Sequence, residues 1–237
     1  MSKTYKTEGI VLHSLKYSET SLILDIYTRE QGLGSYIVSG VRKQKSKTAN
    51  IYHPMNIIDM IAYNSRENLS RIKEATYSVM YRRLDRDVIR ASVGVFFVEL
   101  LRNSLQAKEP DDRLYQFIRN ILIQLDEKQL MIANLPIRFA IELTPYLGFH
   151  IQNNHSEETP YFDLRLGQFV SELGVEKQVL NARMSLELYR LMRNPLEHQL
   201  TKEDKHFLLD RMMDFYRLHI DNFRPLRSIP VLRTIFG

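Results

Sequence analysis

The hydrophobic residues of this chain change their period near residue 80, and that change limits the folds open to it. In the first part, apolar and other residues alternate, as Leu22, Leu24 and Ile26 do in one run. Period-two runs rich in β-branched and aromatic residues predict β-strands. In the second part, apolar residues recur at helical spacings, as Val95 and Val98 do. We therefore predict an α+β protein with its strands first and its helices second.

The strand-forming part is predicted to be a domain of its own, residues 1–80. Its short loops carry turn residues, whereas the third connection is long. Five short strands with one long central connection suit a small β-barrel such as an OB-fold. A two-sheet sandwich or an SH3-like barrel would give a similar pattern. The strands are expected at about 7–16, 21–29, 34–42, 55–64 and 69–77.

The remaining residues, 81–237, are predicted to form an all-helical domain. Pro136 is expected to kink or split one helix, and Thr201 with Asp204 resembles the start of a helix closed by a capping box. A polar, turn-rich stretch at about 150–170 is expected to be a loop insertion. Helices are expected at about 82–107, from Pro110, at 129–147, at 172–193 and from Thr201.

The positive charge of the chain is concentrated in the predicted barrel. The formal net charge is +5, and residues 1–80 hold 11 Lys and Arg against 7 Asp and Glu. The other 157 residues hold 22 and 21 of these types. Such an asymmetry points to a surface on the first domain that binds a polyanion.

Two features of the barrel are candidates for that surface. Four basic residues without an acid follow the third strand, and each is able to pair with a phosphate; a solvated charged loop is the alternative. Tyrosines are able to stack on unpaired bases, although most tyrosines of small barrels only fill the core. The basic residues are Arg42, Lys43, Lys45 and Lys47, and the tyrosines are Tyr36, Tyr52, Tyr63 and Tyr77.

The sequence offers no support for catalysis. There is no cysteine, which excludes thiolate metal sites and a cysteine nucleophile. Phosphate-binding glycine loops and the nucleophile elbow are absent, and the histidines have no metal-ligand spacing. We predict a protein that is not an enzyme and uses no cofactor or metal. With neither a membrane-length apolar run nor a secretory signal at the N-terminus, a cytoplasmic location is expected.

One position of the helical part is a candidate for binding protein. Arg138 lies in an apolar helical stretch, between Ile137 and Phe139. An arginine beside an apolar helix face is able to hold an acidic peptide that ends in hydrophobic residues. The alternative is an exposed arginine lying over a core helix.

Several short segments, in order and spacing, resemble the start of the bacterial RecO family. They cover most of residues 7–47, and a weaker similarity runs from Arg138-Phe139 to Leu147-Gly148-Phe149. The N-terminal segments are Glu8-Gly9-Ile10-Val11-Leu12, Tyr17-Ser18-Glu19, Tyr27-Thr28-Arg29-Glu30-Gln31-Gly32 and Gly40-Val41-Arg42-Lys43.

The resemblance implies an N-terminal OB-fold, a helical C-terminal domain and a role as a recombination mediator in DNA repair. It implies binding of single- and double-stranded DNA, annealing of complementary strands, and partnership with RecR and the acidic tail of single-stranded DNA-binding protein during RecA loading. The DNA-binding residues of the family fall here on Arg42 and Lys43, and by proximity we add Lys45 and Lys47. Arg138 is our candidate for the tail-binding site.

This chain departs from the family pattern in one respect. Many members carry a four-cysteine zinc site after the Gly-Phe that ends the mid-domain helix, whereas residues 150–175 here hold no cysteine. We therefore expect a zinc-free member. Two other functions stay open from the residues alone: an RNA-binding OB-fold protein and a helical adaptor for other proteins.

Overall fold

The computed structural model has two compact units, Met1–Leu130 and Met131–Gly237. Within them it describes residues 4–41, 49–63, 69–105, 109–128, 132–173, 178–194, 198 and 200–236.

The first unit contains a closed five-stranded barrel, as predicted. Its strands follow the order β1-β2-β3-β5-β4, with β3 and β5 parallel and all other neighbours antiparallel. This closed five-stranded arrangement confirms the OB-type fold. The strands are β1 (Thr4–Lys16), β2 (Leu22–Thr28), β3 (Gly32–Val38), β4 (Ile57–Tyr63) and β5 (Leu69–Tyr77), and Ala49–Tyr52 forms a 3₁₀ turn before β4.

Alternation along the strands fills the barrel. Every second residue of a strand points inward, so the apolar set of each strand meets those of its neighbours. Gly32, with φ of 67°, completes the turn between β2 and β3 in a conformation that favours glycine. The inward cluster consists of Val11, Leu22, Leu24, Ile26, Tyr36, Val38, Val41, Tyr52, Ile58, Met60, Ala62 and Ile72.

Two helices belong to the same compact unit as the barrel. They are α1 (Val88–Ser104) and α2 (Asp112–Leu125), each with an aspartate at its N-cap. The side chain of Asp87 accepts hydrogen bonds from two backbone N–H groups of α1, and Asp111 does the same for α2. The change from strands to helices near residue 80 is therefore confirmed, while the compact unit continues to Leu130.

The second unit is mainly helical, with a small antiparallel hairpin that the sequence patterns did not predict. The hairpin strands have three residues each, too few to show alternation. The elements are α3 (Leu135–Leu143), β6 (Tyr161–Asp163), β7 (Gln168–Val170), α4 (Ala182–Arg193), α5 (Lys202–His219) and α6 (Ser228–Ile235).

Two helix predictions in this unit are corrected. The helix expected at 129–147 is shorter, because Pro136 lies in the first turn of α3, where its missing N–H costs nothing, and does not kink a longer helix. The helix expected from 172 begins only at Ala182, after the hairpin. The cap at Thr201 is confirmed, since its side chain accepts a hydrogen bond from the N–H of Asp204.

Aromatic side chains dominate the core of the second unit. The hydroxyl of the fully buried Tyr216 in α5 donates a hydrogen bond of 2.8 Å to the carbonyl of Ala140 in α3. His219, at the end of α5, stacks on Phe149 with ring centroids 5.0 Å apart. Its Nε2 donates to the carbonyl of Leu164, 3.0 Å away, so this histidine serves the packing of the core.

Candidate nucleic-acid interface

The four predicted phosphate-binding residues, Arg42, Lys43, Lys45 and Lys47, lie outside the described residues. The described chain on either side is anchored in the barrel. Val41 before them and Tyr52 after them are both buried members of the inward cluster.

Tyr36 is not placed for stacking on a base. Its ring is only 2% exposed inside the barrel, and its hydroxyl lies 3.2 Å from the hydroxyl of Tyr5. Burial raises the pKa of the Tyr36 hydroxyl above its ordinary value. Because a base needs an open ring face, we withdraw Tyr36 from the interface and assign it to the core.

The other tyrosines differ in their exposure. Tyr52 is buried, Tyr63 is half-buried at the end of β4, and Tyr77 is 37% exposed at the end of β5. Among the described tyrosines of the barrel, the most open ring is that of Tyr17, 64% exposed in the turn between β1 and β2. From the sequence, Tyr17 contributed only to the family resemblance; its position just beyond a strand was the available signal for exposure.

The outer face of the barrel carries an apolar row that crosses three strands and ends at a cation. Leu15 of β1 pairs with Ile23 of β2, Ile23 pairs with Ile37 of β3, and Ile37 pairs with Arg71 of β5. Directly paired residues point to the same side of a sheet. The two isoleucines are half-buried, whereas Leu15 and Arg71 are exposed. We call these four residues the outer row.

A second row lies two residues away on each strand, and three of its four residues are polar. His13, Asp25, Ser35 and Leu69 are paired in that order. Arg102 of α1 places its Nε 2.7 Å from Asp25, and the hydroxyl of Ser35 donates to the same carboxylate at 3.2 Å. Burial and the positive charge of Arg102 lower the pKa of His13, outweighing the opposite effect of Asp25. The one carboxylate of this row is thus neutralised.

A third row is covered by α2. Tyr27 of β2 pairs with Ile10 and is 1% exposed, and its ring stacks on Tyr115 with centroids 6.3 Å apart. Its hydroxyl also reaches the carbonyl of Asp111 at 3.5 Å. The helices of this unit therefore pack on the part of the outer face that holds Tyr27, and Arg102 of α1 reaches Asp25 in the row between.

Glu8 of β1 is the central polar contact between the barrel and α2. Its carboxylate accepts hydrogen bonds from the hydroxyl of Tyr115 at 2.8 Å, from Nε of Arg119 at 3.0 Å and from the hydroxyl of Ser78. Burial alone would raise the pKa of Glu8, but these three donors and the Arg119 charge together lower it. Glu8 is therefore a structural carboxylate.

The predicted peptide-binding residue lies beside a small cavity of the second unit. Nε of Arg138 is 2.7 Å from Oε1 of Glu142, one helical turn away, and its side chain is 17% exposed. The cavity, about 200 Å³ in volume, has Arg138 and Glu142 at its polar side. Its apolar wall includes Ile141, Ile151, Leu191 and Met192.

In the described residues 150–173, where many RecO members bind zinc, side chains hold the chain together through hydrogen bonds and ring contacts. The Asn154 side chain accepts from the N–H of Phe169 and donates to its carbonyl, both at 2.9 Å. His155 stacks on Tyr189 with centroids 4.8 Å apart. Among the described residues, no three His, Asp or Glu side chains are grouped to hold a metal ion. The residues present here do not fit a zinc site.

No described helix is both long and apolar enough to cross a bilayer.

Family models match both parts of the chain. The model for "Recombination protein O N terminal" matches residues 1–80, and that for "Recombination protein O C terminal" matches residues 85–228.

Curated relatives are similar over nearly the whole length. The DNA repair protein RecO of Phocaeicola vulgatus is 32% identical over 238 residues, covering 98% of this chain and 99% of the relative. The protein of the same name from Flavobacterium psychrophilum is 28% identical, with the same coverage of both chains. That from Azobacteroides pseudotrichonymphae is 24% identical, again over 98% and 99%.

Proposed function

The chain belongs to the RecO family of DNA repair proteins, and from this premise we propose that it binds single- and double-stranded DNA and anneals complementary strands. With RecR, it helps to load RecA onto strands coated by single-stranded DNA-binding protein. The observation that carries the proposal is the full-length family match on a chain whose first unit is an OB-type barrel.

The proposed DNA contacts are mainly to phosphate. Arg42, Lys43, Lys45 and Lys47 neutralise the backbones of two strands and bring them within pairing distance. Such contacts release counterions and make affinity fall with salt. They carry no sequence information, which suits a protein that acts on any gap. The concentration of positive charge in residues 1–80 supports this assignment.

The proposed partner contact is in the second unit. The acidic tail of single-stranded DNA-binding protein binds with a carboxylate at Arg138 and its apolar end against the wall of the adjoining cavity. There the tail carboxylate competes with Glu142, which accepts a hydrogen bond from Nε of Arg138 at 2.7 Å. The contact limits the mediator to DNA that already carries the coat. No catalytic step is part of this function, and its proposed place is the nucleoid in the cytoplasm.

Strand annealing tests the proposal. Complementary labelled oligonucleotides are precoated with single-stranded DNA-binding protein, and duplex formation is followed with and without the chain. We expect faster annealing than with the coat protein alone, and weaker binding to RNA than to DNA of the same sequence. If the chain binds RNA as tightly as DNA, the RNA-binding alternative is favoured. If it binds the tail peptide but does not anneal strands, the adaptor alternative is favoured.

A charge variant tests the proposed residues. Replacing Arg42, Lys43, Lys45 and Lys47 with alanine should reduce the salt dependence of single-strand binding by about 3 in the log–log slope. The matched control removes four cations from the second unit: Arg165, Arg193, Lys202 and Lys205. An unchanged slope in the first variant, or the same loss in both, would refute the assignment.

A further inference from the structure

We propose that a groove across β1, β4 and β5 of the barrel binds an extended basic segment of a partner protein, in which two cationic side chains are separated by one residue. The groove has a volume of about 460 Å³ and lies between two rows of outward side chains. This contact to protein goes beyond the proposed function. We call the feature the cross-strand groove, and its two walls are Lys6, Ile61 and Glu74 on one side and Glu8, Asp59 and Thr76 on the other.

The strand register fixes the walls of the cross-strand groove. Each wall is a row of directly paired residues on three neighbouring strands, as when Glu8 pairs with Asp59 and Asp59 pairs with Thr76. Directly paired residues point to the same side of a sheet. With about 4.8 Å between strands, each wall is about 10 Å long, which accommodates about three residues of an extended chain.

The cross-strand groove is acidic although the barrel as a whole is basic. Residues 1–80 hold 11 Lys and Arg against 7 Asp and Glu. Three of those acids, Glu8, Asp59 and Glu74, line this groove, whereas Lys6 is the basic residue in its walls among the described part of the barrel. Such a surface repels phosphate and attracts a basic peptide. The occupant is therefore a protein segment rather than DNA.

Asp59 is the carboxylate of the groove that lacks a counter-charge. Within the described part of the chain, its side chain accepts no hydrogen bond and forms no ion pair. It is exposed and lies directly opposite Glu8, whose own charge is offset by Arg119. Like charges placed directly opposite each other destabilise a pair of strands. A cation bound at Asp59 would reduce this repulsion.

Glu74 supplies a second carboxylate at a spacing that an extended peptide matches. It is the diagonal neighbour of Asp59, because Asp59 pairs with Thr76. The Cβ atoms of diagonal neighbours are about 7–8 Å apart, and alternate residues of an extended chain are about 7 Å apart. The ion pair of Glu74 with Lys73, 3.2 Å between nitrogen and oxygen, joins two exposed side chains. Exposed pairs of this kind are weak, so a partner cation is able to replace Lys73.

Ile61 adds an apolar contact between the charges. It is half-buried and occupies the middle of the wall that Lys6 and Glu74 complete. Arginine and lysine side chains lay their aliphatic stems on apolar surface while their charged ends reach a carboxylate. The cross-strand groove thus offers contacts to both parts of a basic side chain.

The test compares two labelled peptides of the same composition on the full-length protein. In the first peptide, two arginines are separated by one valine, and in the second they are adjacent. Fluorescence anisotropy at low ionic strength measures the affinity for each. We expect the wild-type protein to bind the first peptide more tightly. The double variant Asp59→Asn with Glu74→Gln should weaken binding of the first peptide by about 5-fold or more and abolish the difference between the two.

The matched control, Glu109→Gln with Glu127→Gln, removes two exposed acids of the same compact unit and should leave peptide binding unchanged. The same loss in both variants, or no preference of the wild-type protein for the first peptide, refutes the inference. Affinity for a thymidine oligonucleotide, measured on the same samples, tests the proposed function separately and should not fall in the groove variant.

Two other occupants would overturn the inference. Tighter binding of spermine than of either peptide, lost in the groove variant, would make the cross-strand groove a polyamine site. A dimer that forms with rising protein concentration in analytical ultracentrifugation, and that the groove variant abolishes, would assign the groove to a second copy of the chain.

Discussion

The hydroxyl of Tyr115 in α2 donates a 2.8 Å hydrogen bond to Glu8 in β1, across 107 positions of the sequence. The same carboxylate holds Arg119, one turn further along α2, and Ser78 just after β5. One side chain thus connects the first strand, the end of the barrel and a helix of the following region.

Removing this charge should destabilise the first unit. We expect Glu8→Gln to lower the free energy of unfolding by about 1 to 3 kcal/mol, because the amide is a weaker acceptor and leaves Arg119 without its counter-charge. Urea unfolding measures the change. Asp59→Asn is the control, since Asp59 pairs with Glu8 across the strands but is exposed. Equal effects of both substitutions would contradict the role given to Glu8.

Acid should lower the free energy of unfolding, because Glu8 and Asp126 stabilise the fold as carboxylates and become protonated at low pH. The pKa of Glu8 is below its ordinary value of 4.5 and that of Asp126 is below 3.8, the latter through backbone N–H donors at Arg82, Arg83 and Leu84 that outweigh the effect of burial. A lowered folded-state pKa stabilises the protein above the unfolded-state value, and this stabilisation is lost as pH falls through the folded-state pKa. The melting temperature is measured as pH falls from neutral through the folded-state pKa of Glu8. It should decrease more steeply for wild type than for Glu8→Gln. Parallel curves would argue against the linkage.

Gly94 of α1 lies close to Met55, which precedes β4. We therefore expect a larger side chain at position 94 to destabilise the protein. A Cβ at this position would overlap Sδ of Met55, so the methionine must move. We expect Gly94→Ala to cost about 1 to 3 kcal/mol of unfolding free energy. Met55 has a φ of 78°, which favours glycine. In a double-mutant cycle, Met55→Gly should therefore reduce the cost of Gly94→Ala; strict additivity would show that the two sites do not interact.

The stability of the region that joins Asn154 to the hairpin strand at Phe169 should depend on the Asn154 side chain. Asn154→Ala removes both hydrogen bonds to the backbone of Phe169, and we expect a loss of about 1 to 3 kcal/mol. A chelator should leave the melting temperature of the wild-type protein unchanged. A lower melting temperature with chelator, restored by zinc, would contradict this account.

Arg138 and Glu142 should affect tail binding in opposite directions. Arg138→Ala should weaken binding of an acidic peptide with a hydrophobic C-terminus by about 10-fold, or ~1.4 kcal/mol. Glu142→Gln should strengthen binding, because it removes the internal competitor for Arg138. Isothermal titration with the peptide measures both. Weaker binding in both variants would place the tail elsewhere.

Sequence patterns predicted the strands because a long run of alternating apolar and polar residues fits few structures besides a half-buried strand. They did not predict which tyrosines are exposed. Tyr36 and Ile37 are neighbours of similar strand preference, and only the cross-strand register shows that Tyr36 points inward and Ile37 outward. The hairpin at Tyr161–Asp163 and Gln168–Val170 was missed because its pattern is too short.

Because Glu8 of β1 accepts hydrogen bonds from Tyr115 and Arg119 of α2, the position at which two parent proteins are joined matters in a chimera. A swap at residue 80, where the two family models nearly meet, would join a foreign helical part to this barrel. Glu8 and Tyr27 would then meet a foreign α2 in place of the Tyr115 and Arg119 that they contact here. Exchange near Leu130, at the end of the compact unit, keeps both contacts within one parent.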